Sequence, residues 1–343
     1  MADTKKSSFI HPTRRGLLKA GAGFGMAGLA SAFIQRSAFA ADGLAGKTIG
    51  FSQSYGTDEW LQVQRTDVLA SAKAKGLEVL DMDARDKAAQ EIRNLEDLAV
   101  RGVSAVIMIT YYPDAIGPGI QALNDANIPV IVMSSALNKG QQFACHLAAD
   151  TYGTAEKAGR YYVKRLNGKG NCVHIQGKPG SIVSQARGKG WKDVIDKSPD
   201  IKIVAEGIAN YSRSEALTTM EDFLRANHHI DAVYCHNDNM AKGAVQAIEE
   251  AGRQKEMFVT GFDGIAVETF QMIKDGRLAG TFVYPTFGGE AVEVAARVLQ
   301  GQKVPQQIVF PSPMINQQNI DEFYDAKAQK RIVPKVDLKA LGL

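Results

Sequence analysis

Residues 47–81 read KTIGFSQSYGTDEWLQVQRTDVLASAKAKGLEVLD. A β-branched and apolar run at 48–52 ends in polar residues, an amphipathic helical pattern follows at 58–75, and Gly76 precedes a second strand pattern at 77–81. Strand, helix and strand in about 35 residues make a βαβ unit, the building block of a parallel sheet. The rhythm continues with a helix at 87–101, a strand at 105–109, a helix at 114–126 and a strand at 129–133.

After Asp150 the pattern restarts: helix 154–166, strand 171–176, helix 182–195, strand 201–205, helix 213–226 and strand 231–236, then two more units ending near Asp263 and Tyr284. Near-continuous apolar strands between amphipathic helices predict a parallel sheet covered on both faces. About eleven strands are too many for one doubly wound sheet, and no eightfold rhythm suggests a closed barrel. The expected fold class is α/β, with two Rossmann-like lobes. Residues 148–151, Ala-Ala-Asp-Thr, run from strand straight into helix, so no flexible linker parts the lobes. Pro311 and Pro313 make 307–315 an extended crossing segment.

The chain has 343 residues, 45% apolar and 22% charged, a globular composition of a size for two domains. Its net charge of +3 misleads: the first forty residues hold six basic groups against Asp3, leaving 34 basic and 36 acidic groups elsewhere. No basic stripe offers a phosphate footprint, which argues against a nucleic-acid partner. Thr13-Arg14-Arg15-Gly16-Leu17-Leu18-Lys19, a weakly apolar run at 20–34 and Ala38-Phe39-Ala40 have the form of a twin-arginine export signal cleaved after Ala40. That run is too short and too weakly apolar for stable membrane insertion. Gly23, Gly25 and Gly28 match the dinucleotide fingerprint formally, but no strand precedes them.

Cys145, Cys172 and Cys235 each lie in a predicted strand with a histidine one or two positions on, and allow at most one disulfide. Adjacent strand residues face opposite ways, so these pairs are poor metal sites, and none is assigned. No nucleophile elbow, Walker A motif or cofactor fingerprint in a βαβ context is present, so neither an enzyme nor a cofactor is expected. Gly177-Lys178-Pro179-Gly180-Ser181 reads as a plain turn.

Ligands of open α/β sheets bind beyond the carboxyl ends of the strands. The residues there are Gln53, Thr57 and Trp60; Thr110, Tyr111 and Tyr112; Ser134 and Ser135; then Gln176, Arg187, Asn210, Tyr211, Asn237, Asp238, Asp263 and Tyr284. Amide, carboxylate and guanidinium groups mixed with aromatic planes suit a neutral hydroxylated ligand, because a hydroxyl both donates and accepts. Taken singly, Asn237 and Asp263 serve equally well as helix caps.

In this order, Ile49-Gly50-Phe51-Ser52-Gln53, Asn127-Ile128-Pro129-Val130, Asp150, Gln176-Gly177, Arg187-Gly188-Lys189-Gly190, His236-Asn237-Asp238-Asn239-Met240 and Gly261-Phe262-Asp263-Gly264 resemble the periplasmic sugar-binding proteins of ABC transporters, ribose-binding cluster. Phe51-Ser52-Gln53, Trp60 and Tyr211-Ser212-Arg213-Ser214 are most similar to its galactofuranose-binding branch, and the likeness spans residues 46–330. The resemblance implies a type I periplasmic binding protein fold with a three-segment hinge. It divides the mature chain into an N-terminal lobe of 41–149 plus 285–311 and a C-terminal lobe of 150–284 plus 312–335. It also implies a sugar or polyol held between the lobes and delivered to ABC permease membrane subunits in the periplasm.

Position by position, the resemblance makes Arg187, Asn237 and Asp263 hydroxyl partners and Trp60 and Tyr211 stacking planes. Thr57 and Tyr284 stand where relatives place polar ligand contacts, Asp150 matches a residue at the hinge crossing, and Tyr111 and Ser134 are further contacts expected from their place at the strand ends. Where most relatives carry Asp-Arg after Ile-Pro-Val, this chain has Ser134-Ser135, and Leu61 replaces an Arg of the galactofuranose branch. Losing those groups points to a smaller or less hydroxylated ligand, a polyol or a deoxy sugar. The same frame also serves sensory binding proteins that dock a chemoreceptor or kinase, and a secreted enzyme is the reading from another class.

Overall fold

The computed structural model describes residues 43–333 and 336–342, so the export-signal reading of residues 1–40 lies outside the described residues. The first sheet is laid down by β1 (Thr48–Gln53), α1 (Glu59–Ala74), β2 (Glu78–Asp83), α2 (Ala88–Val100), β3 (Ala105–Ile109), α3 (Gly117–Asp125), β4 (Val130–Met133) and β5 (Cys145–Ala149). The second follows through α4 (Thr151–Arg165), β6 (Gly170–Gln176), α5 (Ile182–Ile195), β7 (Ile201–Ile208), α6 (Arg213–Ala226), β8 (Ala232–Cys235), α7 (Asp238–Glu250), β9 (Phe258–Asp263), α8 (Val267–Lys274) and β10 (Gly280–Val283). α9 (Gly288–Leu299), β11 (Gln307–Phe310), β12 (Met314–Ile315) and the small hairpin β13 (Tyr324–Asp325) and β14 (Lys330–Arg331) complete the chain.

The sheets share one plan. Their strand orders are β11-β5-β4-β3-β1-β2 and β12-β10-β9-β8-β6-β7, parallel throughout except for β12 against β10. The fold is thus the two-lobed α/β type expected. The chain passes between sheets after β5, after β10 and after β11. It then makes a return that the sequence reading did not assign: Arg331 reaches Asp67 of α1 at 3.1 Å, and Val336, Leu338 and Leu341 pack on the first lobe's core.

Alternation along the strands sends side chains to two cores per sheet. Ile49, Phe51 and Ile107 join one cluster with Val292 and Ala295 of α9, while Val106, Met108 and Val132 join another with Leu95 and Leu98 of α2. Gly50 leaves room for Leu98 here, because a Cβ on it would lie 2.7 Å from Leu98 Cδ1 and the leucine would have to shift. Deleting a side chain such as Leu98 from such a core costs about 2 to 5 kcal/mol.

Five helices begin at side-chain caps: Asp58 on α1, Asp150 on α4, Ser181 on α5, Ser212 on α6 and Asn237 on α7. Each cap accepts at least one of the free amides of the first turn, and Asp58 accepts two. Asp150, at the first crossing, accepts from the Gly153 amide at 2.8 Å. Among the described residues, no helix is long and apolar enough to cross a membrane.

Candidate functional site

Strand order reverses between β1 and β3 in the first sheet and between β6 and β8 in the second, and such switch points open a crevice beyond the strand ends. The two crevices meet. One cavity there, narrow in this clasped arrangement at about 30 Å³, is lined by Asp58, Trp60, Tyr111, Ser134, Val183, Arg187, Tyr211, Asn237, Asp263 and Tyr284. Eight of the nine ligand contacts expected from sequence are in this lining, and Thr57 is not. Thr57 is exposed and borders an outer pocket with Tyr55, Asp86 and Lys178.

Arg187 organises the floor. It projects from α5 and is 2% exposed; its Nη2 donates to Asp263 Oδ1 at 3.1 Å, and its Nη1 donates to the His236 carbonyl. Its Nε is buried without a partner. The guanidinium lies 4.6 Å from the Phe262 ring centre and 4.9 Å from that of Tyr284, two faces that stabilise a cation.

Asp263 ends β9 with φ of +117°, a backbone strain characteristic of functional sites. It is not a cap, since α8 starts after Ala266 with no side-chain cap. Burial, offset in part by Arg187, holds its carboxyl well above the ordinary range. Asn237 does act as a cap: its Oδ1 accepts from the Met240 amide at 2.9 Å, which leaves the amide Nδ2 for the cavity.

Aromatic planes close the sides. Trp60 donates from Nε1 to the Tyr284 carbonyl at 3.0 Å, and their ring centres are 5.4 Å apart. Tyr284 and Ser134 share a hydrogen bond of 2.7 Å between their hydroxyls. Tyr111 is held by its amide, which donates to Ser54 Oγ at 2.8 Å, and its ring lies 5.5 Å from that of Tyr55. Tyr211, in the left-handed region at φ +64°, shares a 3.1 Å hydrogen bond with Ser181 and lies so close to Gly177 that a Cβ there would sit 2.1 Å from its ring.

Two lining residues escaped the sequence reading. Asp58 opens a helix, a role that hides it: its Oδ1 accepts from the Trp60 and Leu61 amides at 2.9 and 3.2 Å, and burial raises its carboxyl. Val183 is an apolar residue in the first turn of α5, with no polar signal to betray it, and it packs against the first lobe's core. Other strand-end candidates are structural: Gln53 bonds Gln64 at 3.1 Å and the Leu61 carbonyl at 3.0 Å, and Asp238 accepts from Thr281 and the Gly264 amide.

The lobes are clasped around this cavity. Lys178 of the second lobe meets Asp86 of the first at 2.9 Å and lies 4.3 Å from the Tyr55 ring centre. All three cysteines are buried and free, and among the described residues no cluster of metal-ligating side chains is found. Two carboxylates, one guanidinium, one free amide and several hydroxyl-bearing rings offer both donors and acceptors to a small polar guest.

The chain is 30% identical over 281 residues to the ribose import binding protein of Salmonella typhimurium, covering 81% of this chain and 94% of that protein. It is 31% identical over 253 residues to the xylitol-binding protein of Mycolicibacterium smegmatis, covering 73% and 72% of the two chains. The periplasmic binding protein of the arabinose ABC transporter from Shewanella sp. ANA-3, solved with L-arabinofuranose, superposes with a TM-score of 0.74 at 28% identity, covering 80% of this chain and 93% of that one. Residues 49–303 match the family described as periplasmic binding protein domain, and the chain belongs to that family.

Proposed function

We propose that this chain is an exported solute-binding protein that captures a sugar or polyol between its lobes and delivers it to the membrane subunits of an ABC permease. The observation that carries the reading is the convergence of Arg187, Asn237 and Asp263 with Trp60, Tyr211 and Tyr284 on one cavity between two sheets. A hydroxylated guest needs that combination: paired donors and acceptors for each hydroxyl, and flat apolar faces for its C–H groups. Arg187 Nε, buried and unpartnered, is a donor ready for a guest oxygen.

The lobes are residues 41–149 with 285–311 and residues 150–284 with 312–335, and Asp150 caps a helix at one hinge crossing. A bound guest favours the clasped arrangement, which the permease reads. Residues 1–40 direct export through the twin-arginine route to the periplasm, with cleavage after Ala40. Ser134 spends its hydroxyl on Tyr284, so the wall where relatives carry a carboxylate offers little to a further hydroxyl. A polyol or deoxy sugar fits that wall better than a fully hydroxylated hexose.

A thermal-shift screen of the chain from Ala41 against pentoses, hexoses, deoxy sugars and polyols tests this reading. A guest at about 100 times its Kd adds about 2.7 kcal/mol of stability. A selective shift with a sugar or polyol is expected; shifts only with amino acids or other non-sugar solutes overturn it.

A further inference from the structure

Beneath the ligand cavity runs a buried hydrogen-bonded line that the binding reading does not use. His236 Nδ1 lies 3.1 Å from the Gly177 amide and 3.0 Å from Ser184 Oγ; its Nε2 lies 2.7 Å from His174 Nε2, and His174 Nδ1 lies 3.0 Å from Glu206 Oε1. Both imidazoles are enclosed, at 0% and 1% exposure, while Glu206 reaches the surface and also meets Lys192 at 2.8 Å.

One obligatory donor fixes every proton in this line. A backbone amide only donates, so His236 Nδ1 must accept and its hydrogen sits on Nε2. His174 Nε2 then accepts, its Nδ1 carries the hydrogen, and that hydrogen points to Glu206, an acceptor. Both rings are therefore neutral, and the line has one direction only.

We propose that His174 and His236 are positioning residues of the binding site, a one-way relay that sets Arg187 and Tyr211 against the guest. This rests on the binding reading above. At its inner end the relay holds the His236 main chain, whose carbonyl takes Arg187 Nη1, and the Gly177 turn on which the Tyr211 ring rests. An extra proton turns one acceptor into a donor that faces another donor, either at Gly177 or between the rings, and the register of both ligand-facing side chains is lost.

The charged and titratable groups around the pair act in opposite senses: Arg187 and Lys192 disfavour a proton, while Glu206 favours one on His174, a pull that burial outweighs. Arg187 and Lys192 face it from α5, Tyr234 packs beside both rings from β8, and Glu206 bonds it from β7. Burial lowers both histidines, and for His236 the neighbouring His174 and Arg187 lower it further; Glu206 is held down to about 2 by the hydrogen bond from His174. Neutral imidazoles thus persist at neutral pH, and the relay fails only in acid, below the ordinary histidine range near ~6.5.

The test uses nitrogen-15 NMR of the ligand-free chain together with D-ribose and xylitol titrations of the unaltered protein, His174→Gln and His174→Leu. The expected tautomers are Nε2–H on His236 and Nδ1–H on His174. His174→Gln keeps an oxygen acceptor for His236 and stays within about threefold of the unaltered affinity, whereas His174→Leu strands that hydrogen and loses roughly tenfold or more at unchanged folding. The unaltered chain keeps its affinity at neutral pH and weakens only in acid, below the ordinary histidine range. Nδ1–H on His236, or full affinity in His174→Leu, overturns the proposal. If neither D-ribose nor xylitol binds the unaltered chain, the ligand half of the inference falls, while the tautomers still decide the relay.

Discussion

Lys242 Nζ and Glu59 Oε2 stand 2.9 Å apart across the cleft, joining α7 of the second lobe to the first turn of α1 in the first. The lysine side chain is 2% exposed and the glutamate 38%. Within its own lobe Lys242 has Glu268 at 3.5 Å, so opening the cleft removes the nearer carboxylate and leaves the farther one. The pair therefore belongs to the closed state and contributes to affinity rather than to folding of either lobe.

Replacing Glu59 by Gln is expected to weaken binding of a sugar by about two- to fivefold at low salt, a modest effect because the glutamate is partly screened by water. The difference shrinks at high salt, where exposed charges are screened over shorter distances. Calorimetric titrations at two salt concentrations check both halves; an effect that is large and independent of salt contradicts the clasp.

Arg187→Lys keeps the charge but loses the fork that serves Asp263 and the His236 carbonyl together. Affinity is expected to fall about 10- to 100-fold. Asp263→Asn tolerates the positive φ and keeps the shape, so the ligand-free chain melts near the unaltered temperature while binding weakens by a similar factor.

Gly177→Ala puts a methyl where the Tyr211 ring lies. The ring must move from the cavity wall, and binding should drop by roughly tenfold or more, as expected for loss of a stacking plane. Fluorescence titration measures the loss, and an unaltered affinity shows that Tyr211 does not face the guest.

Glu91 makes a pH prediction. It is fully buried on α2, its Oε2 accepts from Ser54 Oγ at 2.8 Å, and burial raises its carboxyl to about 7 from an ordinary 4.5. The folded state thus holds the proton more tightly than the unfolded chain, so stability is complete below the ordinary value and declines as pH rises toward 7. The decline is on the order of 3 kcal/mol. Glu91→Gln removes it: denaturant unfolding should show the variant gaining on the unaltered protein between about pH 5 and pH 8. A gap that widens toward acid contradicts the assignment.

Much of this molecule is legible in its sequence because burial on both sheet faces leaves a continuous apolar signature, as in Ala105–Ile109, and because helix starts carry their own capping residues. The cavity lining is legible for the same reason: strand ends are marked by where the apolar runs stop. Asp58 was hidden by its second role as a cap, and Val183 by being apolar. Thr57 stands next to lining residues, yet the turn presents it to solvent. In the sequence the relay histidines show only as residues one or two positions after a cysteine, each along a single strand. Their partners lie on neighbouring strands, and pairing between strands is set by tertiary register, with His174 opposite Tyr234. The return of Val336, Leu338 and Leu341 to the first lobe depends on a surface formed by distant segments.

The most direct test is a crystal structure of the mature chain with whichever sugar or polyol stabilises it. A single guest touching Arg187, Asn237 and Asp263 in the second lobe and Trp60 in the first, with the lobes clasped through Lys242 and Glu59, is the predicted result. A guest lodged elsewhere, or one that leaves the Arg187 guanidinium untouched, would contradict the binding site assigned here.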